Sequence, residues 1–254
     1  MKRWLIAMLV AAPGIAAAQA LLDLKRDLAF DARTVDAQAE RAYHARVQAL
    51  AAAAGRLDQD PVLLARIEAL VARLKPAAVY ELPSAASIAW EIHTCRLCNE
   101  NAAAMAGGRL LVGEEFVASL ALTDDELGYV LAHEMVHVLA EHTREFASTA
   151  RYFLGNGRNR NFADIQNELA ESIGANLRMA PVYRQQELEA DFGGFVIGAR
   201  AGLDPDAMLT MLGKLQAEKV SSFLPSVSPA ERIERAQAML SAARRIREIG
   251  IPAR

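Results

Sequence analysis

Five consecutive residues constrain this 254-residue chain more than any others: His133-Glu134-Met135-Val136-His137. They sit about ten residues into a segment whose spacing predicts a helix. Thr123-Asp124-Asp125-Glu126 reads as a capping box, with Thr as the cap and Glu three residues on. Its acidic first turn suits the positive end of the helix dipole. Leu127, Val130, Leu131, Met135, Val138 and Leu139 continue at helical spacing. At ~100° per residue, positions four apart diverge by only ~40°, so both imidazoles leave one face. That is the geometry for two nitrogen ligands on one zinc ion. Glu134 stands beside this face, within reach of a water on the metal. Of the five histidines, His133, His137 and His142 fall within ten residues, while His44 and His93 lie elsewhere.

Catalytic zinc takes three protein ligands and keeps a fourth position for water. The best source of the third is Glu187-Leu188-Glu189-Ala190-Asp191. On a helix Glu187 and Asp191 share a face, and Glu189 points roughly the opposite way. Glu187 is therefore the expected third ligand. Asp191 is expected behind it, orienting a ligand histidine through its second ring nitrogen. The segment that follows, Phe192–Ile197, is apolar with small residues, so this helix is expected to be buried rather than acidic for solubility.

The remaining chain supplies scaffold and address. Lys2 and Arg3 precede an apolar stretch, Trp4–Ala12, and small residues lead to Ala18-Gln19-Ala20. This pattern predicts a secretory signal peptide over residues 1–20, cleaved after Ala20. Leu21 rather than Cys follows, which does not suit a lipoprotein signal. A mature chain from residue 21 to 254 would then work in the periplasm. Within it, a helical N-terminal part (21–80) is expected to precede a catalytic core (84–254). No later segment is apolar for the roughly 20 residues a bilayer requires. Phe192–Leu203 comes nearest, but it is short and contains Arg200. The net charge of −3 gives no electrostatic footprint for nucleic acid. A hydrophobic fraction of 53% excludes a disordered chain, and 6% aromatic residues with abundant alanine favour helix packing over a β-sandwich.

Helices are predicted up to Gly55, from Asp60-Pro61 to Lys75-Pro76, from Tyr183 to Ala201, from Asp204-Pro205 onward, and over Ala230–Ile249. Residues 143–182 are polar, broken by Gly155-Asn156-Gly157, and give little pattern. They and the loop around Pro225 are the candidate covers in a latent form of the site. Strands are expected only between Pro83 and Gly113. Ile88, Trp90 and Ile92 alternate with polar or small neighbours, and Arg109–Val112 follows the Gly107-Gly108 turn. The Arg109–Val112 strand is the expected partner for an extended peptide. Cys95-Arg96-Leu97-Cys98 admits three readings: a local disulfide, a redox dithiol, or part of a second metal site.

The zinc motif, followed some fifty residues later by Glu187-x-x-Ala190-Asp191, resembles the M48 family of zinc metallopeptidases, periplasmic type. Flanking pieces agree. Glu126-Leu127-x-x-Val130-Leu131 leads into the motif, His142 follows five residues after the second ligand, and Arg184 stands three before Glu187. Trp90-Glu91-Ile92, the Asn101-Ala102 turn, Gly107-Gly108-Arg109, Gly202-Leu203-Asp204-Pro205 and Pro229-x-x-Arg232-Ile233 are similar to further family segments. Two departures stand out: Ser228-Pro229 replaces the family's His-Pro, and Ala103 replaces an aromatic.

The resemblance implies a mostly helical α+β, zincin-like fold with a small β-sheet edge beside the active-site helix. It implies one zinc ion per chain on His133, His137 and Glu187, with Glu134 as the catalytic base. It also implies a protein or peptide substrate, without nucleic acid, and a role in envelope protein quality control. Peripheral association with the envelope membrane is compatible with it. Tyr183, Arg184 and His93 are the candidates to steady the transition state or contact substrate. The alternative is a zinc-binding, catalytically latent chaperone-like or scaffold protein.

Overall fold

A computed structural model describes residues 28–217 and 227–252. The segment expected to be a signal peptide and the loop around Pro225 lie outside the described residues. The fold is α+β and mostly helical. Helix α1 (Ala32–Ala52) is capped by Asp31, whose carboxylate accepts from the Thr34 N–H. Helix α2 (Pro61–Glu81) begins as the sequence predicts, with Asp60 accepting from the Leu63 N–H at 2.9 Å and Pro61 in the first turn. It does not stop at Lys75-Pro76. Pro76 forfeits one backbone hydrogen bond, yet the last turn persists because Ala77, Ala78 and Glu81 are buried beyond it.

Three strands follow a short 3-10 turn at Pro83–Ser87: β1 (Glu91–Cys95), β2 (Ala102–Met105) and β3 (Arg109–Gly113). Their order is β1-β3-β2, with β1 parallel and β2 antiparallel to β3. Two expectations change here. Ala102–Met105, read as part of a turn, is a strand, because pairing of Ala103 with Leu111 and Ala104 with Leu110 overrides the poor strand propensity of alanine. Strand β3, expected to accept a peptide, is central and already paired on both sides. Leu110 and Val112 of β3 enter the main core, while Leu111 faces Tyr43, Leu50 and the Cys95–Cys98 pair on the other side. The Tyr43 hydroxyl donates to the Leu110 carbonyl at 2.8 Å, locking α1 to the sheet.

After the short α3 (Glu114–Ser119) come α4 (Asp124–Leu139), α5 (His142–Phe153), α6 (Phe162–Glu171), α7 (Ile173–Arg200), α8 (Pro205–Ala217) and α9 (Pro229–Ile249). The capping box on α4 is present in both directions: Thr123 accepts from the Glu126 N–H, and Glu126 accepts from the Thr123 N–H. The polar stretch 143–182 is mostly helical, broken over 154–161 where Gly155-Asn156-Gly157 fall. Its amphipathic pieces bury Ala147, Ala150, Phe162, Ile165, Leu169 and Met179 in a second, smaller core. Helix α7 therefore starts ten residues before Tyr183, capped by Ser172, and runs through Pro181.

The crossing of α4 and α7 sets the position of everything chemical. Small residues on α7 let the two backbones approach. A methyl at Gly194 would lie 2.8 Å from the His133 backbone nitrogen, and one at Gly198 would lie 2.4 Å from the Tyr129 ring. Such contacts leave no room for a side chain. At its far end α7 is anchored by a fully buried ion pair of Arg200 with Glu81 of α2. Arg200 also donates to the Gly250 carbonyl at 2.8 Å and stacks over Tyr80.

Gly194→Ala is expected to push the two helices apart at the ligands. Overpacking of this kind costs about 1–3 kcal/mol, readable by urea unfolding, and zinc affinity should fall at least about tenfold if ligands are displaced by even a fraction of an ångström. Unchanged stability and affinity would show that the glycine is not what sets the approach.

Candidate metal centre

Helix α4 presents His133 and His137 one turn apart, and α7 brings Glu187 across to them. The two Nε2 atoms are 3.1 Å apart. Glu187 Oε2 lies 3.6 Å from His133 Nε2, and its Oε1 lies 3.4 Å from His137 Nε2. Among the described residues this is the one group of three whose ligand atoms converge in this way. A tetrahedral zinc ion with ligands at about 2.0–2.1 Å needs donor atoms about 3.3 Å apart. The observed separations fit that ion, and two imidazoles with one carboxylate are a donor set used by catalytic zinc.

Behind His133, its Nδ1 meets Asp191 Oδ1 at 3.0 Å. Asp191 is in turn gripped by Arg232 of α9, at 2.6 Å and 2.7 Å to its two oxygens. Burial pushes the Asp191 carboxyl up, but Arg232 and His133 outweigh it and hold it down at about 2. Burial likewise opposes the charge on Glu187, yet His137 and His133 beside it, with Arg232, bring it to about 2. Both carboxylates are therefore ionised at neutral pH, as metal ligation and ligand orientation require. Burial disfavours protonated His133, while Asp191 and Glu187 favour it more, so its pKa is raised.

Glu134 is half-buried beside His133 and His137. Burial raises its pKa above the usual carboxylate range; the two imidazoles pull it down and Glu187 pushes it up. The backbone of Ala104 in β2 faces it and draws its pKa down slightly. Strand β2, an edge of the sheet among the described residues, thus lies directly against Glu134.

Residues 37–240 match peptidase family M48. The chain belongs to that family. Three curated relatives are the mitochondrial metalloendopeptidases OMA1 of Schizosaccharomyces pombe, Saccharomyces cerevisiae and Arabidopsis thaliana. The first is 29% identical over 133 residues, covering 50% of this chain and 38% of that protein. The second is 33% identical over 162 residues, covering 58% and 44%. The third is 28% identical over 148 residues, covering 54% and 28%. This chain spans less than half the length of each.

Within this M48 chain the three candidates for transition-state contact separate. Tyr183 reaches the site: its hydroxyl faces Glu187, and burial first, then Glu187 and Glu134, raise its pKa. Arg184 does not; it forms a double hydrogen bond to Glu231 of α9 at 2.6 Å and 2.8 Å. His93, expected near the reacting centre, lies instead on β1, the strand farthest from the edge that meets Glu134. There its Nδ1 contacts Asp58 at 2.6 Å. Cys95 and Cys98 are bonded to each other at the end of β1, which excludes the free dithiol and the second metal site in this state. A cleft of about 380 Å³ opens beside His137, bordered by Val35, Asp36, Ala106, Gly107 and Arg144.

Arg232 was legible in the sequence only as part of a family segment, with no role attached. Its guanidinium, together with His133, keeps buried Asp191 charged. Arg232→Met is expected to weaken zinc binding about 10–100-fold in a chelator competition, as loss of such outer partners does. Arg232→Lys should recover only part of this, since an ammonium cannot span both oxygens. A folded Arg232→Met protein with unaltered zinc affinity would contradict this role.

Proposed function

We propose that this chain is a zinc-dependent endopeptidase whose unit spans residues 21–254 after loss of residues 1–20. The observation that carries the reading is the convergence of His133, His137 and Glu187 with Glu134 alongside. Zinc bound at such a site supplies Lewis-acid polarisation and acidifies a water to a pKa near 7. Asp191 and Arg232 fix the His133 ring, so its Nε2 lone pair points at the ligand position. Glu134, with a raised pKa and a place beside both imidazoles, is suited to accept a proton from water and return it to the leaving amine. Tyr183, alone of the three candidates at this site, is the proposed donor toward the developing oxyanion.

The proposed substrate is an extended polypeptide paired along the outer edge of β2. Main-chain hydrogen bonds on a sheet edge give affinity with little dependence on sequence. The alanines of β2 place no bulky side chain there. The periplasm is the proposed compartment and envelope protein quality control the proposed role. The export pattern of residues 1–20 and the bonded Cys95–Cys98 pair support a location outside the reducing cytosol. The relatives that carry "mitochondrial" in their names do not add to that reading. No described helix is long and apolar enough to cross a membrane.

One comparison tests the activity. The mature protein should bind one zinc ion and cleave casein. Glu134→Gln should keep the metal and lose about 10²–10⁴ in rate, the contribution of a positioned acid–base group. Cleavage undiminished in Glu134→Gln would contradict the role of Glu134. Zinc binding without cleavage by either protein would favour the latent, chaperone-like alternative. For the compartment, mass spectrometry of the protein expressed with its full sequence is expected to find Leu21 at the N-terminus. Retained Met1 in the cytosolic fraction would overturn export.

A further inference from the structure

The second ligand histidine has its own support, and it comes from residues the mechanism above leaves unused. His137 Nδ1 lies 2.8 Å from Nδ1 of His142. On the other side of that ring, His142 Nε2 lies 3.4 Å from Glu189 Oε2. Both residues are buried, at 2% and 3% exposure. A carboxylate this deep in a protein is costly unless it faces a donor or a charge. Five residues separate His137 from His142, which on an unbroken helix would put them about 140° apart. They meet because the chain turns between α4 and α5, with Glu141 in the left-handed region at φ 53°. The new direction is fixed by α7: the Gln186 amide donates to the His142 carbonyl at 3.0 Å and to Glu145 at 2.8 Å.

Ligand chemistry then sets the protons. For His137 to offer the Nε2 lone pair to a metal, a neutral ring must carry its proton on Nδ1. That N–H can only be received by His142 if His142 Nδ1 is bare, so the His142 proton must sit on Nε2, facing Glu189. We propose that His142 and Glu189 are positioning residues for zinc. Glu189 selects the Nε2–H form of His142, and His142 accepts from His137 and holds its ring in the ligating orientation. The two ligand histidines are thus backed separately, His133 by Asp191 and Arg232, His137 by His142 and Glu189. The proposal rests on the zinc reading of the site.

The test has two arms. Nitrogen-15 NMR of the zinc-loaded wild-type protein reports which ring nitrogen of each histidine carries the proton. The expected pattern is a proton on Nδ1 of His137 and on Nε2 of His142; a proton on Nδ1 of His142 overturns the proposal without touching zinc binding. In the second arm, zinc affinity is measured by chelator competition and the cobalt-substituted absorption spectrum is recorded. His142→Phe removes the acceptor and should weaken zinc about 10–100-fold and alter the cobalt spectrum. His142→Asn puts an oxygen close to the place of Nδ1 and should restore most of both. Wild-type affinity in a folded His142→Phe protein overturns the proposal. Wild-type protein that takes up no zinc at all removes the metal reading, and the proposal with it.

Discussion

The close crossing of α4 and α7 is the constraint on which the rest depends. One helix carries two imidazoles and the other a carboxylate, and they come within 3.1–3.6 Å of one another only where the two backbones nearly touch. Gly194 and Gly198 permit that approach. The buried Arg200–Glu81 pair then pins the end of α7 to α2, so the crossing cannot slide. The hydrophobic core supplies the force that closes the helices. The missing side chains decide how near they come.

A site of this kind is costly to build, because it buries several carboxylates among few compensating cations. The structure solves this with contacts that also orient ligands. Arg232 reaches in from α9 to keep Asp191 charged, and Arg184 joins the same helix through Glu231. Helix α9 is therefore part of the centre rather than a closing brace. On the opposite side the α5–α7 seam of His142, Glu145, Gln186 and Glu189 performs the corresponding task.

Much of this was legible in the sequence, for identifiable reasons. The zinc motif, its capping box and the Glu187/Asp191 face depend on local periodicity, and the structure places those side chains together. What was missed depends on tertiary contact. Ala102–Met105 carries no strand signal of its own and becomes a strand only through β3. Residues 143–182 look polar because their three helical pieces bury a narrow apolar stripe in a separate small core. His93 stood among the candidates for transition-state contact, but the β1-β3-β2 order carries it to the edge opposite the one that meets Glu134. Arg232 and His142 could not be assigned by spacing, since one arrives from a distant helix and the other through a left-handed turn.

The most direct test of the central claim is X-ray absorption at the zinc edge of the purified, zinc-loaded protein. The three converging side chains predict a first shell of nitrogen and oxygen at about 2.0–2.1 Å, with the outer scattering of two imidazoles. A sulfur shell near about 2.3 Å, or the scattering of a single imidazole, would contradict it.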